Sequence, residues 1–142
     1  MKLYADSSFI VPLYISIDGQ AKKANDYMSK VGEPLVFTLL HRLEVRNAIR
    51  LYANRRLIDE STKKAALRQV EEDLEDGILA HATVNPLEVY RQADELSEKY
   101  GNCGTLDLLH IANALKIGAT HFLTFDVRQG ELAKKVGIKV HP

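Results

Sequence analysis

Short apolar stretches alternate with longer amphipathic stretches along the whole chain of 142 residues. The short stretches predict four strands, at residues 2–6, 35–38, 121–125 and 138–140. A weaker strand candidate lies between residues 78 and 84. The longer stretches predict helices at residues 7–14, 19–31, 40–56, 60–76, 86–99, 105–117 and 127–136. Strands that alternate with helices favour an α/β domain with a largely parallel sheet.

Residues that start and stop helices stand at most of the predicted boundaries. Ser7 or Ser8 is expected to cap the first helix, and Asp59 is expected to cap the helix that begins after it. Pro86 suits a first helical turn, where its missing N–H costs nothing. Glycines follow three of the predicted helices, at Gly32, Gly77 and Gly118.

The helix predicted at residues 40–56 has an apolar side and a basic side. With about 3.6 residues per turn, one side consists of Leu40, Glu44, Ala48 and Leu51. The roughly opposite side carries Arg42, Arg46 and Arg50. Glu44 is therefore predicted to lie in an apolar stripe, where a carboxylate is costly unless it is paired.

The composition is that of an ordinary globular protein, with 46% hydrophobic and 27% charged residues. The length suits one domain over residues 1–142. The longest apolar run, residues 9–15, contains Pro12 and is too short to span a bilayer, and Asp6 interrupts the N-terminus before a signal sequence could form. The single cysteine, Cys103, excludes an internal disulfide and a multi-cysteine zinc site. We therefore expect a cytoplasmic protein with no membrane partner.

Charge is balanced overall but unevenly distributed. The formal net charge is zero, so it gives no support to a nucleic-acid partner. Residues 41–56 nevertheless contain five arginines and one acid, whereas residues 71–76 contain five acids and no base. Such asymmetry can create a basic face that contacts RNA phosphates on a neutral protein. The alternative is that both segments are simply solvated helix faces.

Four acidic residues lie beside or within apolar stretches that are expected to be buried: Asp6, Glu44, Asp107 and Asp126. Asp6 and Asp126 each end a predicted strand, and ligands bind at the carboxyl edge of open parallel sheets. Carboxylates in such positions are usually hydrogen-bonded, paired or bound to a metal. Four carboxylates without a cysteine ligand favour a hard cation such as Mg²⁺ or Mn²⁺.

Each of the four acids also has a simpler explanation. Asp6 and Asp126 could cap the helices that follow them. Asp107 lies in a first helical turn, where the helix dipole favours an acid, and Glu44 could be an exposed helix residue. As a set they are harder to explain in this way, because a parallel sheet would bring them to one edge, where their repulsion calls for a cation or a proton.

Four short motifs resemble those of the PIN-domain ribonucleases, at residues 6–8, 43–45, 105–112 and 123–126. The chain length and the order of elements are similar to those of the VapC toxins of toxin–antitoxin pairs, and the resemblance covers essentially the whole chain. It implies a three-layer α/β/α sandwich around a mainly parallel sheet. It also implies an endoribonuclease that depends on Mg²⁺ or Mn²⁺ and acts on structured RNA, often transfer or ribosomal RNA.

The resemblance also assigns roles to residues and partners. The acidic quartet of the family falls on the four acids named above, and two neighbouring hydroxyl positions fall on Ser7 and Thr124. These hydroxyls would position a water or a substrate phosphate, although turn capping explains them equally well. The family implies a homodimer, and its toxin members are silenced by an antitoxin whose C-terminal segment lies in the active-site groove. The arginine-rich helix could then meet RNA, an acidic antitoxin or the second protomer.

Some positions depart from the family or leave its activity open. Cys103 and Gly104 stand where many relatives carry a basic or hydroxyl residue before the third acidic motif. His110 fits the family pattern, but on a helix it is better explained as a structural hydrogen-bonding residue than as a base. The alternative to an enzyme is a catalytically silent PIN-like module that binds RNA or protein. Losing one of the four acids would favour that alternative, and none is lost.

Overall fold

The strands and helices of the predicted pattern are nearly all present in the computed structural model, which describes residues 1–142. The strands are β1 (Leu3–Ala5), β2 (Leu35–Phe37), β3 (Leu79–His81), β4 (His121–Leu123) and β5 (Lys139–His141). The helices are α1 (Ser7–Tyr14), α2 (Ala21–Val31), α3 (Leu39–Asn54), α4 (Glu60–Glu75), α5 (Pro86–Tyr100), α6 (Thr105–Ile117) and α7 (Val127–Lys135). Most boundaries lie within about two residues of the predicted ones, which is the usual precision of helix ends.

The five strands form one sheet in the order β3-β2-β1-β4-β5, and every neighbouring pair is parallel. Leu3 of β1 is in register with Leu35 of β2 on one side and with His121 of β4 on the other. The chain adds β2 and then β3 on one side of β1, and later adds β4 and β5 on the other side of β1. The gap between the carboxyl ends of β1 and β4 is therefore a topological switch point, the place where α/β sheets bind ligands.

Helices cover both faces of the sheet, as an all-parallel sheet requires. Leu3 and Ala5 point to one face and pack with residues of α1, α2, α3 and α4. Tyr4 points to the other face and packs with residues of α5, α6 and α7. This arrangement confirms the predicted three-layer α/β/α sandwich. No helix has both the length and the apolar character needed to cross a membrane.

One capping prediction was wrong and another was confirmed. Asp6, rather than Ser7 or Ser8, is the N-cap of α1, and its side chain accepts a hydrogen bond from the backbone N–H of Phe9. Both serines already lie inside the helix, because the aspartate before them occupies the capping position. Asp59 caps α4 as predicted, through the backbone N–H of Thr62.

The buried side of α3 differs from the predicted stripe. His41, Val45 and Ile49 are the buried residues of this helix, whereas Leu51 is 38% exposed. The predicted apolar side, made of Leu40, Glu44, Ala48 and Leu51, did not include His41, which is fully buried. The true buried side lies between the two sides that the sequence suggested. Glu44 lies along one margin of that side and the arginines lie along the other.

Candidate active site

Asp6 is the only buried carboxylate of the chain, with 5% of its surface exposed, and it follows β1 directly. Its Oδ1 accepts a hydrogen bond from Ser8 Oγ at 2.6 Å and a second from the Phe9 backbone N–H at 3.3 Å. Its Oδ2 accepts a hydrogen bond from Thr124 Oγ1 at 2.5 Å. Because Thr124 follows β4, the Asp6 carboxylate joins the two strands that flank the switch point.

The charge on Asp6 is costly to maintain. Burial raises the pKa of the Asp6 carboxyl above its ordinary value, and the hydrogen bonds from Ser8 and Thr124 oppose that shift without cancelling it. A positive charge beside a carboxylate favours its ionised form. The surroundings of Asp6 are therefore those of a group that a cation would stabilise.

Ser8 is a site residue that the sequence analysis did not identify. Besides donating to Asp6, its Oγ accepts a hydrogen bond from the Phe125 backbone N–H at 3.0 Å. Thr124 Oγ1 in turn accepts from the Asp126 backbone N–H at 2.9 Å. The two hydroxyls thus tie α1 to the segment after β4. The available signal was the position of Ser8 two residues after Asp6, a spacing at which a hydroxyl often bonds back to a capping side chain.

Glu44 on α3 is held by side chains from two other helices. Its Oε1 is hydrogen-bonded to Nε2 of His110 on α6, and its Oε2 accepts from Ser7 Oγ on α1 at 3.3 Å. His110 is also bonded through Nδ1 to the hydroxyl of Tyr4 on β1, at 2.8 Å. His110 therefore makes two hydrogen bonds to other side chains, which agrees with the structural role preferred from the sequence. Ser7 contacts Glu44 rather than Asp6.

Asp126 and Asp107 lie on the more open side of the same edge. Asp126 caps α7, where its Oδ1 accepts from the backbone N–H groups of Arg128 and Gln129 at 2.9 and 3.2 Å. Asp107 lies in the first turn of α6 and is partly buried. The pKa of the Asp107 carboxyl is raised, first by burial and then by the negative charge of Asp126, with a smaller contribution from Glu44. These charges are therefore close enough to repel one another.

Gln129 links the two helices that carry these acids. Its side-chain Nε2 donates to the backbone carbonyl of Asp107 at 3.1 Å, while its own backbone N–H binds the Asp126 carboxylate. The residue is 1% exposed, and its Oε1 has no hydrogen-bond partner. The sequence analysis did not identify Gln129, because a glutamine in a polar helical stretch gives no sign that it will be buried.

A second buried histidine stabilises the carboxyl ends of β1 and β2. His41 Nδ1 accepts from the Thr38 backbone N–H at 2.9 Å, which leaves Nε2 to donate to the Ala5 carbonyl at 2.6 Å. Burial lowers the pKa of His41 to about 3, helped by the nearby His110. His41 is thus a neutral residue that connects two strands below the site, rather than a candidate base.

The arginines predicted to contact RNA lie away from these carboxylates. Arg42 and Arg46 both bind Oε1 of Glu71 on α4, at 2.8 and 2.9 Å. Arg50 is exposed and has no ion pair. The basic and acidic segments noticed in the sequence therefore contact each other in part. The RNA-binding role of the three arginines stays a prediction.

The four predicted acids lie around one edge of the sheet, and their chemistry fits a hard divalent cation. The donors are carboxylate oxygens with hydroxyl groups beside them, and a cation would offset both causes that raise the pKa of Asp107, burial first and the charge of Asp126 second. No group of three or more His, Cys, Asp or Glu side chains is arranged to hold a metal ion. Several of the oxygens are instead bonded to hydroxyl, amide and imidazole groups. The assignment of the four acids as metal ligands stays a prediction.

Comparison with known proteins gives a family and a set of similar folds. The sequence model of the PIN domain family matches residues 3–135. The structure of VapC20 from Mycobacterium tuberculosis, a toxin that cleaves the sarcin–ricin loop, aligns with a TM-score of 0.71 at 17% identity, over 99% of this chain and 100% of that one. VapBC-1 from nontypeable Haemophilus influenzae aligns with a TM-score of 0.66 at 16% identity, over 99% and 97%.

A third similar structure is FitAcB from Neisseria gonorrhoeae, with a TM-score of 0.64 at 15% identity, over 99% of this chain and 96% of that one. A comparison with curated protein sequences gives no match. At these identities the solved structures demonstrate a shared fold and no more.

Proposed function

Because the chain belongs to the PIN domain family, we propose that it is a metal-dependent endoribonuclease and the toxin of a VapBC-type toxin–antitoxin pair. Its substrate would be structured RNA, with transfer or ribosomal RNA as the first candidates. We further propose that residues 1–142 act as one nuclease domain in the cytoplasm. One similar structure, VapC20, is a toxin, and another, VapBC-1, carries the name of the proposed type of pair, which supports the proposal.

One observation carries the proposal: acidic side chains from four elements lie around the β1–β4 switch point and are close enough to perturb one another. Asp107 has a raised pKa partly because of the charges of Asp126 and Glu44. Asp6 shares the hydroxyl of Thr124 with the backbone of Asp126. Surface acids that merely cap helices need no such proximity. The grouping of the four acids at the switch point favours a role in binding a cation and, through that cation, a phosphodiester.

In the proposed reaction, Asp6, Glu44, Asp107 and Asp126 would hold Mg²⁺ or Mn²⁺. When bound, the cation supplies Lewis-acid stabilisation of the phosphate and lowers the pKa of a bound water. The protein's own groups do the positioning: Thr124 orients the buried Asp6 carboxylate, and Ser7 orients Glu44. Both hydroxyls are also candidates to position the attacking water or the substrate phosphate.

We propose two protein partners, an antitoxin and a second copy of the chain. Apolar side chains that are largely exposed support a protein contact: Leu39 (80% exposed) and Leu43 (68%) on α3, and Leu87 (70%) and Tyr90 (62%) on α5. Leu39 and Tyr90 also line a cavity of about 220 Å³ between α3, α5 and α6. Exposed apolar surface of this kind is typical of interfaces. The molar mass in solution, measured by light scattering with and without the antitoxin, distinguishes the two partners.

Cleavage of total cellular RNA by the purified protein tests the proposed activity. The assay compares Mg²⁺, Mn²⁺ and EDTA, with Asp6→Asn as the site variant and Asp94→Asn, an exposed acid on α5, as the matched control. We expect discrete fragments that require the metal, are lost in Asp6→Asn and remain in Asp94→Asn. The sequences at the fragment ends would then identify the RNA class.

Three other results would change the proposal. Full activity of Asp6→Asn in excess Mg²⁺ would remove Asp6 from the catalytic set. Metal binding by the wild-type protein without cleavage of any RNA would favour the alternative, a silent PIN-like module that binds RNA or protein. Absence of metal binding would show that the four carboxylates do not form a metal site.

A further inference from the structure

A chain of hydrogen bonds leads from the centre of the sheet to Glu44. The hydroxyl of Tyr4, which is fully buried on β1, is bonded to Nδ1 of His110 at 2.8 Å. Nε2 of His110 is bonded to the Glu44 carboxylate. His110 is 2% exposed, so both of its ring nitrogens are removed from water and both have protein partners. The contact joins α3 and α6, which pack on opposite faces of the sheet.

The position of each proton in this chain follows from the available partners. The Glu44 carboxylate can only accept hydrogen bonds, so the proton between it and His110 lies on Nε2 of the imidazole. An imidazole that carries its one proton on Nε2 has a lone pair on Nδ1, and this nitrogen is 2.8 Å from the Tyr4 hydroxyl. Tyr4 therefore donates to Nδ1, and the proton on the His110 ring lies on Nε2. This N–H donates to Glu44 Oε1.

We propose that Tyr4 and His110 are positioning residues that fix the Glu44 carboxylate for the metal site, an inference that rests on the proposed function. Tyr4 holds the His110 ring through Nδ1, and His110 holds one oxygen of Glu44 through Nε2. Ser7 donates to the other oxygen at 3.3 Å. A glutamate has more rotatable bonds than an aspartate, so Glu44 has the most conformational freedom to lose on binding a cation. Because His110 and Ser7 donate to its two oxygens, the Glu44 side chain is already ordered before a cation binds.

The role of His110 is distinct from general-base catalysis. Nδ1 accepts from Tyr4, and Nε2 donates to a carboxylate, so neither nitrogen has a lone pair free to take a proton from water. Residues that hold a ligand in this indirect way typically change metal affinity by about 10- to 100-fold when they are replaced. The expected effect of His110 is therefore on binding of the metal itself.

Binding of Mn²⁺ alone to the purified protein, measured from the spin-resonance signal of free Mn²⁺, tests this inference. His110→Leu keeps the bulk of the side chain and removes both nitrogens, whereas His110→Gln keeps an N–H near the Glu44 carboxylate. We expect Mn²⁺ affinity to fall about 10- to 100-fold in His110→Leu and to recover in part in His110→Gln. Thermal unfolding in EDTA checks that each variant folds.

The nitrogen NMR spectrum of the His110 ring gives a second readout that needs no metal. We expect a single tautomer with the proton on Nε2 in the wild-type protein, and a shift of the Nδ1 resonance in Tyr4→Phe, where that nitrogen loses its hydrogen-bond donor. Tyr14→Phe is the matched control, because Tyr14 also donates from a largely buried hydroxyl to an acceptor, Asp73 Oδ2 at 2.6 Å, away from the site. This NMR measurement remains informative even if His110→Leu does not fold.

The outcomes separate the inference from the function on which it rests. Wild-type binding of Mn²⁺ with unchanged affinity in His110→Leu would overturn the positioning role and leave the proposed nuclease intact. A proton on Nδ1 in the wild-type ring would overturn the assigned role of Tyr4. No Mn²⁺ binding by the wild-type protein would overturn both the inference and the proposed metal site.

Discussion

The inner carboxylates of the site, Asp6 and Glu44, differ from the outer carboxylates, Asp107 and Asp126, in how many of their oxygens are already engaged. Both oxygens of each inner carboxylate accept hydrogen bonds from serine, threonine, histidine or backbone groups. Asp126 uses one oxygen to cap α7, and the Asp107 carboxylate accepts no hydrogen bond. The inner pair is positioned by the fold, whereas the outer pair keeps free oxygens. A site of this kind combines fixed groups with groups that can adjust to a ligand.

The largest expected effect is loss of RNA cleavage on neutralising one carboxylate of either pair. Asp6→Asn and Asp126→Asn should each abolish cleavage, because each removes a charge needed to hold the proposed cation. Both variants should keep the fold, since asparagine caps helices about as well as aspartate. Fragment yield from total RNA measures the activity, and circular dichroism measures the fold. If only the inner variant were inactive, the outer pair would be unnecessary for the chemistry.

Low pH should destabilise the folded protein through His41, the buried histidine that connects β1 and β2. Its pKa is lowered to about 3, so the unfolded chain takes up a proton near the ordinary histidine pKa of about 6.5 while the folded protein does not. The free energy of unfolding should therefore fall as the pH drops below about 6.5, by about 2 kcal/mol between pH 7.5 and pH 5. Urea unfolding at several pH values, in EDTA, measures this change.

A matched pair of variants isolates the contribution of His41. His41→Gln should flatten the pH dependence between pH 7.5 and pH 5, whereas replacing the exposed His81 with glutamine should leave it unchanged. An equal slope in the His41 variant and the wild-type protein would show that another group is responsible.

A smaller effect concerns the cost of the buried Asp6 charge. Because its pKa is raised by burial, the folded protein binds this proton more tightly than the unfolded chain does. At pH 7 and without metal, Asp6→Asn should therefore stabilise the fold, because the variant does not bury a charge at this position. That advantage should disappear as the pH falls toward the ordinary value of 3.8. Asp126→Asn, at an exposed position, should show less of it.

The same experiment in saturating Mn²⁺ should reverse the order of stability, because the wild-type protein then gains the binding energy of the cation. Calorimetric melting with EDTA and with Mn²⁺ provides the comparison. A variant that is more stable than the wild-type protein under both conditions would contradict the view that Asp6 is a metal ligand.

The smallest expected effects concern the arginines outside the site. Glu71→Gln should change the free energy of unfolding by less than about 1 kcal/mol, since its pairs with Arg42 and Arg46 are partly exposed. If these arginines contact RNA, replacing either with glutamine should reduce the salt dependence of RNA binding by about one unit of slope. Unchanged slopes would assign both arginines to the packing of α3 against α4 alone.

The order of elements was predictable because each strand and helix carries its own periodic pattern and stop signals. The parallel sheet and the position of Asp6 and Asp126 at strand ends followed from that order. The buried side of α3 did not follow, because a histidine bonded to two strands has no distinct appearance in the sequence. Ser8 and Gln129 were missed for a related reason. Their roles depend on partners that are distant in the chain, and one sequence gives no measure of such proximity.

β1 is the first strand of the chain and also the centre of the sheet, and its two neighbours are synthesised far apart in time. Thr124, which completes the surroundings of Asp6, lies 118 residues further along the chain. At translation rates of roughly 5–20 residues per second, Asp6 leaves the peptidyl-transferase centre roughly 6 to 24 s before Thr124 is added. During that interval β1 lacks β4, and the carboxylates cannot assemble. The candidate site therefore remains incomplete in the nascent chain until residues 121–126 have been made.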